Sequence, residues 1–198
     1  MRLFLAIDLT EDVRARVEAW ARSLRPLVQE ARLHPRWTRA EQYHLTLKFL
    51  GETEADQVAD LVSAMRRIVS SWRPFEFRLS QGGAFPNELN PRVLWVGVDD
   101  STGELSRLAQ EIEEGLELLR FSREERAFHP HVTIARVESP RRSARSHVGQ
   151  IEAGWLARSC AAREFGSIQA RQVVLYESQA LPNGTIYRPI EVFSFSDG

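Results

Sequence analysis

Two tetrads in the chain repeat one pattern of reactive residues: His44-Leu45-Thr46-Leu47 and His131-Val132-Thr133-Ile134. In a strand, residues i and i+2 share a face. Each tetrad therefore sets an imidazole beside a hydroxyl, with two apolar residues on the opposite face as an anchor. Histidine titrates near about 6.5 and can give or take a proton at neutral pH. Hydroxyls beside it can donate to oxygens on which charge gathers. In-line cleavage of a phosphodiester needs a base for the attacking water and an acid for the departing oxygen. Two histidines on opposite sides of phosphorus, one neutral and one protonated, supply both without a metal. A single tetrad reads more plainly as the polar face of a half-buried strand. Two of them, in a chain with five histidines, are the strongest signal in the sequence.

The neighbours are less distinctive. Arg136 lies an odd number of residues from His131, so simple alternation puts it on the far face, and only a bulge or the strand's end turns it toward a phosphate. Phe49 and Trp95 are candidates for stacking a base, although both sit in core-rich strands and core packing is the plainer reading. His129 shares the parity of His131, but Pro130 interrupts the ladder and a supporting loop role is expected. A metal site from His129, His131 and His44 would lack carboxylate or cysteine partners at ligand spacing. His34 and His147 carry no motif and read as surface residues. Arg120, Arg123 and Arg126 are interleaved with Glu124 and Glu125, the pattern of a solvated loop.

The elements that must position the tetrads follow from periodicity. Strand-like runs are Arg2–Ile7, His44–Leu50, Phe75–Leu79, Arg92–Val98, His131–Arg136, Gln172–Glu177 and Ile186–Phe195. Thr10 is placed to cap a helix with Val13, Val17, Trp20 and Leu24 inward, and Thr53 a second with Val58, Leu61, Val62 and Met65 inward. Ser101-x-x-Glu104 reads as a capping box for a third, striped by Leu105, Leu108, Ile112, Leu116 and Leu119. Ser139-Pro140 suggests the start of a fourth, shorter helix. No glycine-rich phosphate loop follows the first strand. The strands at Phe75 and Arg92 are joined by a turn-rich connection containing Gly82, Gly83, Pro86, Asn87 and Pro91. These features favour antiparallel pairing over a doubly wound parallel sheet. A His-x-Thr strand follows a helical segment in both halves, each then succeeded by another helix, a faint two-unit repeat. The expectation is an α+β, bilobal duplicated fold. Two mainly antiparallel sheets face each other across a central cleft, with helices on the outer faces, all in one domain spanning 1–198.

Composition bounds the partners. The 198 residues carry a formal net charge of −1, so no global basic field announces a large polyanion interface. Lys48 is the only lysine among the 26 basic Lys and Arg residues, a bias best ascribed to arginine-rich codon usage. The one cysteine, Cys160, excludes an intrachain disulfide and favours a reducing compartment. No apolar stretch is long enough to span a bilayer, and the first apolar run meets Asp8 too early for a signal-peptide core. A cytoplasmic monomer with no membrane contact is the expectation.

The tetrads and their surroundings resemble the two-histidine phosphoesterase superfamily, and within it the RNA 2',3'-cyclic phosphodiesterases once called 2'-5' RNA ligases. The resemblance rests on Arg2-Leu3-Phe4-Leu5-Ala6-Ile7-Asp8, His44 to Glu52, Phe85-Pro86-Asn87, Pro91 to Trp95, Phe128, Pro130 to Arg136, and Leu175-Tyr176-Glu177-Ser178. It implies metal-independent hydrolysis of RNA or small nucleotide 2',3'-cyclic phosphate ends to a 2'-phosphate, with no cofactor and weak 2'-5' ligation as a side activity. By the same resemblance His44 is the proton donor, His131 the acceptor, and Thr46, Thr133 and Arg136 hold the phosphate. Spacing alone does not assign donor and acceptor. The alternative function is a module that binds a nucleotide or RNA end without turnover.

Overall fold

A computed structural model describes residues 1–137, 155–161, 163–182 and 184–196, without the side chains of residues 157 and 160. The strands are β1 (Arg2–Asp8), β2 (Pro35–Trp37), β3 (His44–Glu52), β4 (Phe75–Phe85), β5 (Val93–Asp99), β6 (His131–Val137), β7 (Gly166–Ala170), β8 (Gln172–Leu181) and β9 (Gly184–Ser194). The helices are α1 (Glu11–Glu30), α2 (Gln57–Val69), α3 (Glu104–Glu117) and the short α4 (Trp155–Cys160). Ser139-Pro140, His147 and the Cys160 side chain, each singled out in the sequence, lie outside the described residues and side chains. Among the described residues no helix is long and apolar enough to cross a membrane.

The strands pair antiparallel in the order β7-β4-β5-β6-β3-β1-β8-β9, with β2 on β6. The α+β antiparallel reading holds, with one refinement. The two expected sheets, β3-β1-β8-β9 and β6-β5-β4-β7, meet at one residue pair, Leu45 opposite Val132, and so form a single nine-stranded ladder. Each half places a tetrad strand at this seam. Leu45, Leu47, Val132 and Ile134 are all buried, so the apolar anchors enter the core as alternation requires.

Alternation then breaks, in the same way, in both strands. Ala6 faces Thr46 while Leu5 faces Lys48, leaving Leu47 unpaired; Trp95 faces Thr133 while Leu94 faces Ala135, leaving Ile134 unpaired. The fourth residue of each tetrad is thus a β-bulge, which shifts the side-chain parity of the residues after it. The two strands carry the same sequence of burial through seven residues: half-buried, buried, half-buried, buried, buried, exposed, buried. Lys48 and Ala135 turn into the core, and Phe49 and Arg136 turn out onto the histidine face.

Lys48, the lone lysine, is consequently buried, and its ammonium donates to Glu113 Oε2 of α3 at 2.5 Å and to the Ser122 carbonyl at 2.9 Å. The helices close the core through the stripes read from sequence. Val13, Val17, Trp20 and Leu24 of α1 are buried, as are Leu61 and Met65 of α2 and Leu105, Leu108, Ile112 and Leu116 of α3.

Several local expectations are corrected. Helix α3 begins at Glu104, and the carboxylate of Asp100 accepts from the Leu105 and Ser106 amides, so Asp100 performs the capping expected of Ser101. Helix α2 begins at Gln57, so Thr53 is not its cap; Thr53 is buried and its amide donates to the Met1 carbonyl. Thr10 stands at the N-cap of α1, but its hydroxyl donates to Asp12 instead of accepting from a helix amide. Gly82 and Gly83, read as a turn, lie within β4 opposite Val96 and Trp95. A Cβ on Gly83 would lie 2.3 Å from the Trp95 ring, so the strand needs glycine there to let the indole lie across it.

The Lys48–Glu113 pair ties β3 to α3 in a nearly dry setting. Removing one partner leaves the other charge uncompensated, at about 3–5 kcal/mol. Lys48→Ala should therefore lower the denaturant midpoint markedly, whereas Lys48→Met with Glu113→Leu should recover most of the loss. Equal losses in the two variants would show that the ion pair itself, which an apolar pair of similar volume cannot replace, stabilises this position.

Candidate active site

His44 and His131 are oriented by one device. The Nδ1 of His44 lies 2.8 Å from the carbonyl of Gln42, and the Nδ1 of His131 lies 2.6 Å from the carbonyl of His129. A carbonyl only accepts, so Nδ1 carries a proton in both rings and Nε2 is left to exchange a proton with the cleft. Gln42 ends the short 3-10 turn Ala40–Gln42, and its side-chain amide donates to the Thr185 carbonyl of β9 at 2.5 Å. His129 thus acts through its backbone. Its ring lies 5.7 Å from that of Phe85, and among the described residues no three His, Cys, Asp or Glu side chains gather as metal ligands.

Aromatic rings pack each imidazole. Phe4 lies 4.9 Å from His44, 5.3 Å from Tyr176 and 5.0 Å from Tyr187, and Tyr187 meets His44 edge-on at 5.1 Å and 88°. On the other side Phe85 meets His131 edge-on at 5.0 Å and 85°, with Trp95 5.1 Å from Phe85. This burial pushes both imidazole pKa values below the ordinary histidine range, the largest influence on each.

The two environments then diverge. Asp8 stands directly across from His44 in the β1–β3 register, and its charge opposes the fall in the His44 pKa. The Tyr176 hydroxyl donates to both oxygens of that carboxylate, at 2.8 and 2.9 Å. Burial and then Asp8 push the Tyr176 hydroxyl well above its ordinary range, so it remains a donor. The position across from His131 is Gly97, which has no side chain to offer. There the neighbouring charges, His129 and Arg136, push the His131 pKa down further. Each histidine also lies within electrostatic range of Arg136, and His44 within range of His131.

The sequence-derived residues are thereby placed. His44, His131, Thr46 and Thr133 share the cleft face, and the bulge at Ile134 brings Arg136 onto it despite its odd spacing. Phe49 is 60% exposed, its ring 6.2 Å from Phe4, and so does not pack in the core as its strand suggested. Trp95 is half-buried, 6.4 Å from His131, and its indole Nε1 is buried without a hydrogen-bond partner among the described residues. Arg123 pairs with Glu117 and takes no part in the cleft's contacts.

Asp8, Tyr176, Tyr187 and Phe85 carry no assignment from sequence. Their roles depend on cross-strand register, although the apolar run ending in Asp8 and the Tyr176 segment are both visible. A cavity of about 490 Å³ opens beside His44, lined in part by Asp8, Gln42, Tyr176 and Tyr187. A larger one, about 630 Å³, lies between α1 and β2 around Arg25, His34 and Trp37, and neither tetrad lines it.

Comparison with known proteins agrees with this geometry. The family model described as LigT like Phosphoesterase matches twice, over residues 7–95 and 96–187. The chain is 32% identical to the RNA 2',3'-cyclic phosphodiesterase of Archaeoglobus fulgidus, over 98% of this chain and 99% of the relative. It is 35% identical to the Aeropyrum pernix protein of the same name, over 80% and 85%. Among solved structures it is similar to TT0787 of Thermus thermophilus, with a TM-score of 0.77, 30% identity and 98% coverage of both chains. It is similar also to E. coli LigT complexed with 3'-AMP, with a TM-score of 0.76, 28% identity and 98% coverage of both. Its two bulged His-x-Thr strands, set in a fold matched end to end, belong to a member of the LigT-like phosphoesterase family.

Proposed function

We propose that the cleft hydrolyses RNA or nucleotide 2',3'-cyclic phosphate ends to 2'-phosphates, using His44 and His131 as acid and base without a metal. The carrying observation is the matched pair of Nε2 atoms turned to the cleft, each ring fixed by an Nδ1–carbonyl bond on opposing halves of one sheet. The names of the relatives, over nearly the whole chain, support the substrate class.

The unequal surroundings favour a direction for the proton. Asp8 stabilises a positive charge on His44, which suits the imidazolium that protonates the departing 3' oxygen. Among the described residues the position across from His131 is Gly97, which offers no carboxylate, and Arg136 lowers its pKa, which suits a neutral base. Water attacks phosphorus as His131 Nε2 takes its proton; the bond from phosphorus to O3' breaks, and O3' takes the proton of His44 Nε2. The product carries a 2'-phosphate and a free 3' hydroxyl, and solvent restores both protonation states. Thr46, Thr133 and Arg136 stabilise the charge on the non-bridging oxygens. Phe49 and Trp95, both reaching the cleft side, are read as faces for stacking bases. A 5' hydroxyl entering in place of water gives a 2'-5' linkage as a weak side activity.

The chain is read as one domain of two related halves. The repeated burial pattern, the repeated bulge and the double family match support this reading. Both histidines come from one chain, which suits a monomer, and action on RNA ends suits the cytoplasm.

His44→Ala and His131→Ala should each lower the turnover of a 2',3'-cyclic nucleotide at least about a hundredfold while the circular dichroism spectrum is kept. Tight binding by the unaltered chain with no product after long incubation would instead make it a binding module. Activity should persist in excess chelator, and loss restored by a divalent ion would refute the metal-free scheme. Asp8→Asn removes the charge that raises the His44 pKa. The His44 midpoint in an NMR titration should move to lower pH with that of His131 nearly fixed, and the basic limb of kcat/KM should move the same way. An unmoved His44 midpoint would remove the basis for calling it the donor.

A further inference from the structure

Strand β2 is three residues long, too short to persist by itself, yet it is held firmly. Pro35 faces Val137, Arg36 faces Arg136, and Trp37 faces Ala135. Just beyond it the Thr38 amide donates to the carbonyl of Ile134, the bulged residue of β6, at 2.9 Å. Trp37 packs against the hydrophobic core with the Arg25 guanidinium 5.6 Å from its ring centre. Residues directly opposite in an antiparallel pair project from the same face. With Val137, Ala135 and Trp37 turned toward the core, Arg36 must project with Arg136 onto the face that bears His131 and Thr133.

Two arginines thus stand opposite one another at a Cα separation of about 5 Å. Both are exposed, and neither has a hydrogen bond or ion pair among the described residues. Like charges in this relation repel and weaken the strand pair. No carboxylate of the described residues neutralises them, so the fold holds a concentrated positive charge at the rim of the cleft. The bulge at Ile134 brings Arg136 onto the histidine face and its charge reaches both histidines, which suits it to the reacting phosphate as proposed above. Arg36 lies one strand further out, and the reacting phosphate already has Arg136, Thr46 and Thr133.

We infer that Arg36 binds a second phosphate of the substrate, the phosphodiester on the 5' side of the terminal nucleotide. A guanidinium suits this task because its planar donors match two phosphate oxygens at once. The inference rests on the cyclic-phosphate reading above and sharpens its substrate class. A 2',3'-cyclic mononucleotide has only the reacting phosphate, whereas an RNA end always has the next one. Arg36 therefore makes the chain selective for RNA ends over mononucleotides.

The test compares kcat/KM on a 2',3'-cyclic mononucleotide and on a trinucleotide ending in a 2',3'-cyclic phosphate. The proteins are the unaltered chain, Arg36→Gln, and Arg67→Gln on α2 as a control of equal charge change. Arg36→Gln should lower the value for the trinucleotide about tenfold, mainly through KM, and leave the mononucleotide unchanged. The slope of log(kcat/KM) against log salt for the trinucleotide should become shallower by about 0.7, the contribution of one phosphate contact on a single strand. Arg67→Gln should change neither substrate. Equal losses on both substrates, no loss on either, or the same loss with Arg67→Gln would overturn the inference. If the unaltered chain hydrolyses neither substrate, the cyclic-phosphate reading fails and this inference falls with it. Hydrolysis of both with no effect of Arg36→Gln rejects the inference alone.

Discussion

The bulge at the fourth residue of each tetrad is the constraint on which the rest of the cleft depends. A regular strand would carry His131 and Thr133 on one face and Arg136 on the other, burying a guanidinium in the core. One extra residue, Ile134, inverts the parity and delivers Arg136 to the face where the histidines stand. The same insertion at Leu47 sends Lys48 inward and Phe49 outward. Each consequence needs its own accommodation. An ammonium in the core is tolerated only because Glu113 and the Ser122 carbonyl meet it. The counterpart in β6 is Ala135, which needs nothing. One backbone irregularity, used twice, thus gives one half of the cleft an aromatic face and the other a cationic one.

The halves match in backbone and differ in side chains, and this suits the proposed reaction, which requires two unlike histidines. Identical surroundings would give both imidazoles one pKa and no preferred direction for the proton. The Nδ1–carbonyl anchor and the edge-on aromatic ring are common to both sides, so both Nε2 atoms are aimed and partly desolvated alike. A carboxylate distinguishes the two sides at one cross-strand position, Asp8 beside His44 and Gly97 beside His131. Tyr176 fixes the carboxylate there through both oxygens, which limits its freedom to swing away. A carboxylate across from only one histidine is the least elaborate way to separate acid from base on a duplicated frame.

How far the sequence can be read depends on the range of each interaction. The tetrads, the α+β antiparallel pattern and the apolar helix stripes depend on neighbours within a few residues, and those readings hold. The single ladder does not show, because whether two sheets touch at Leu45 and Val132 is a tertiary matter. Strand β7 escapes notice because Gly166-Ser-Ile-Gln-Ala has little strand character of its own and forms against β4. Gly82-Gly83 has the composition of a turn, and only the Trp95 ring lying over it explains glycine inside a strand. The α3 cap differs from the expected one because Gly103, in the left-handed region, takes the N-cap position and the first free amides are met by the Asp100 carboxylate from upstream, not by Ser101. Asp8 and Tyr176 are visible as residues but not as a pair, their contact spanning 168 positions of sequence.

The seam between the halves explains why room exists for a substrate at all. Strands β3 and β6 share one pair, Leu45 with Val132, near the histidine end. Further along β6, the edge that β3 leaves is taken by β2, opposite Ala135 to Val137. A longer β3–β6 ladder would fill that edge and hold the two tetrads in one continuous, nearly flat surface. Because the strands run antiparallel from that pair, the histidines stay close at the seam while Phe49 and Arg136 lie in opposite directions from it. The gap would expose the backbone of β6 to water if nothing paired with it, and β2 satisfies those groups with only three residues. A strand that completes the ladder in this way must present one side chain to the cleft, and in this chain that side chain is Arg36.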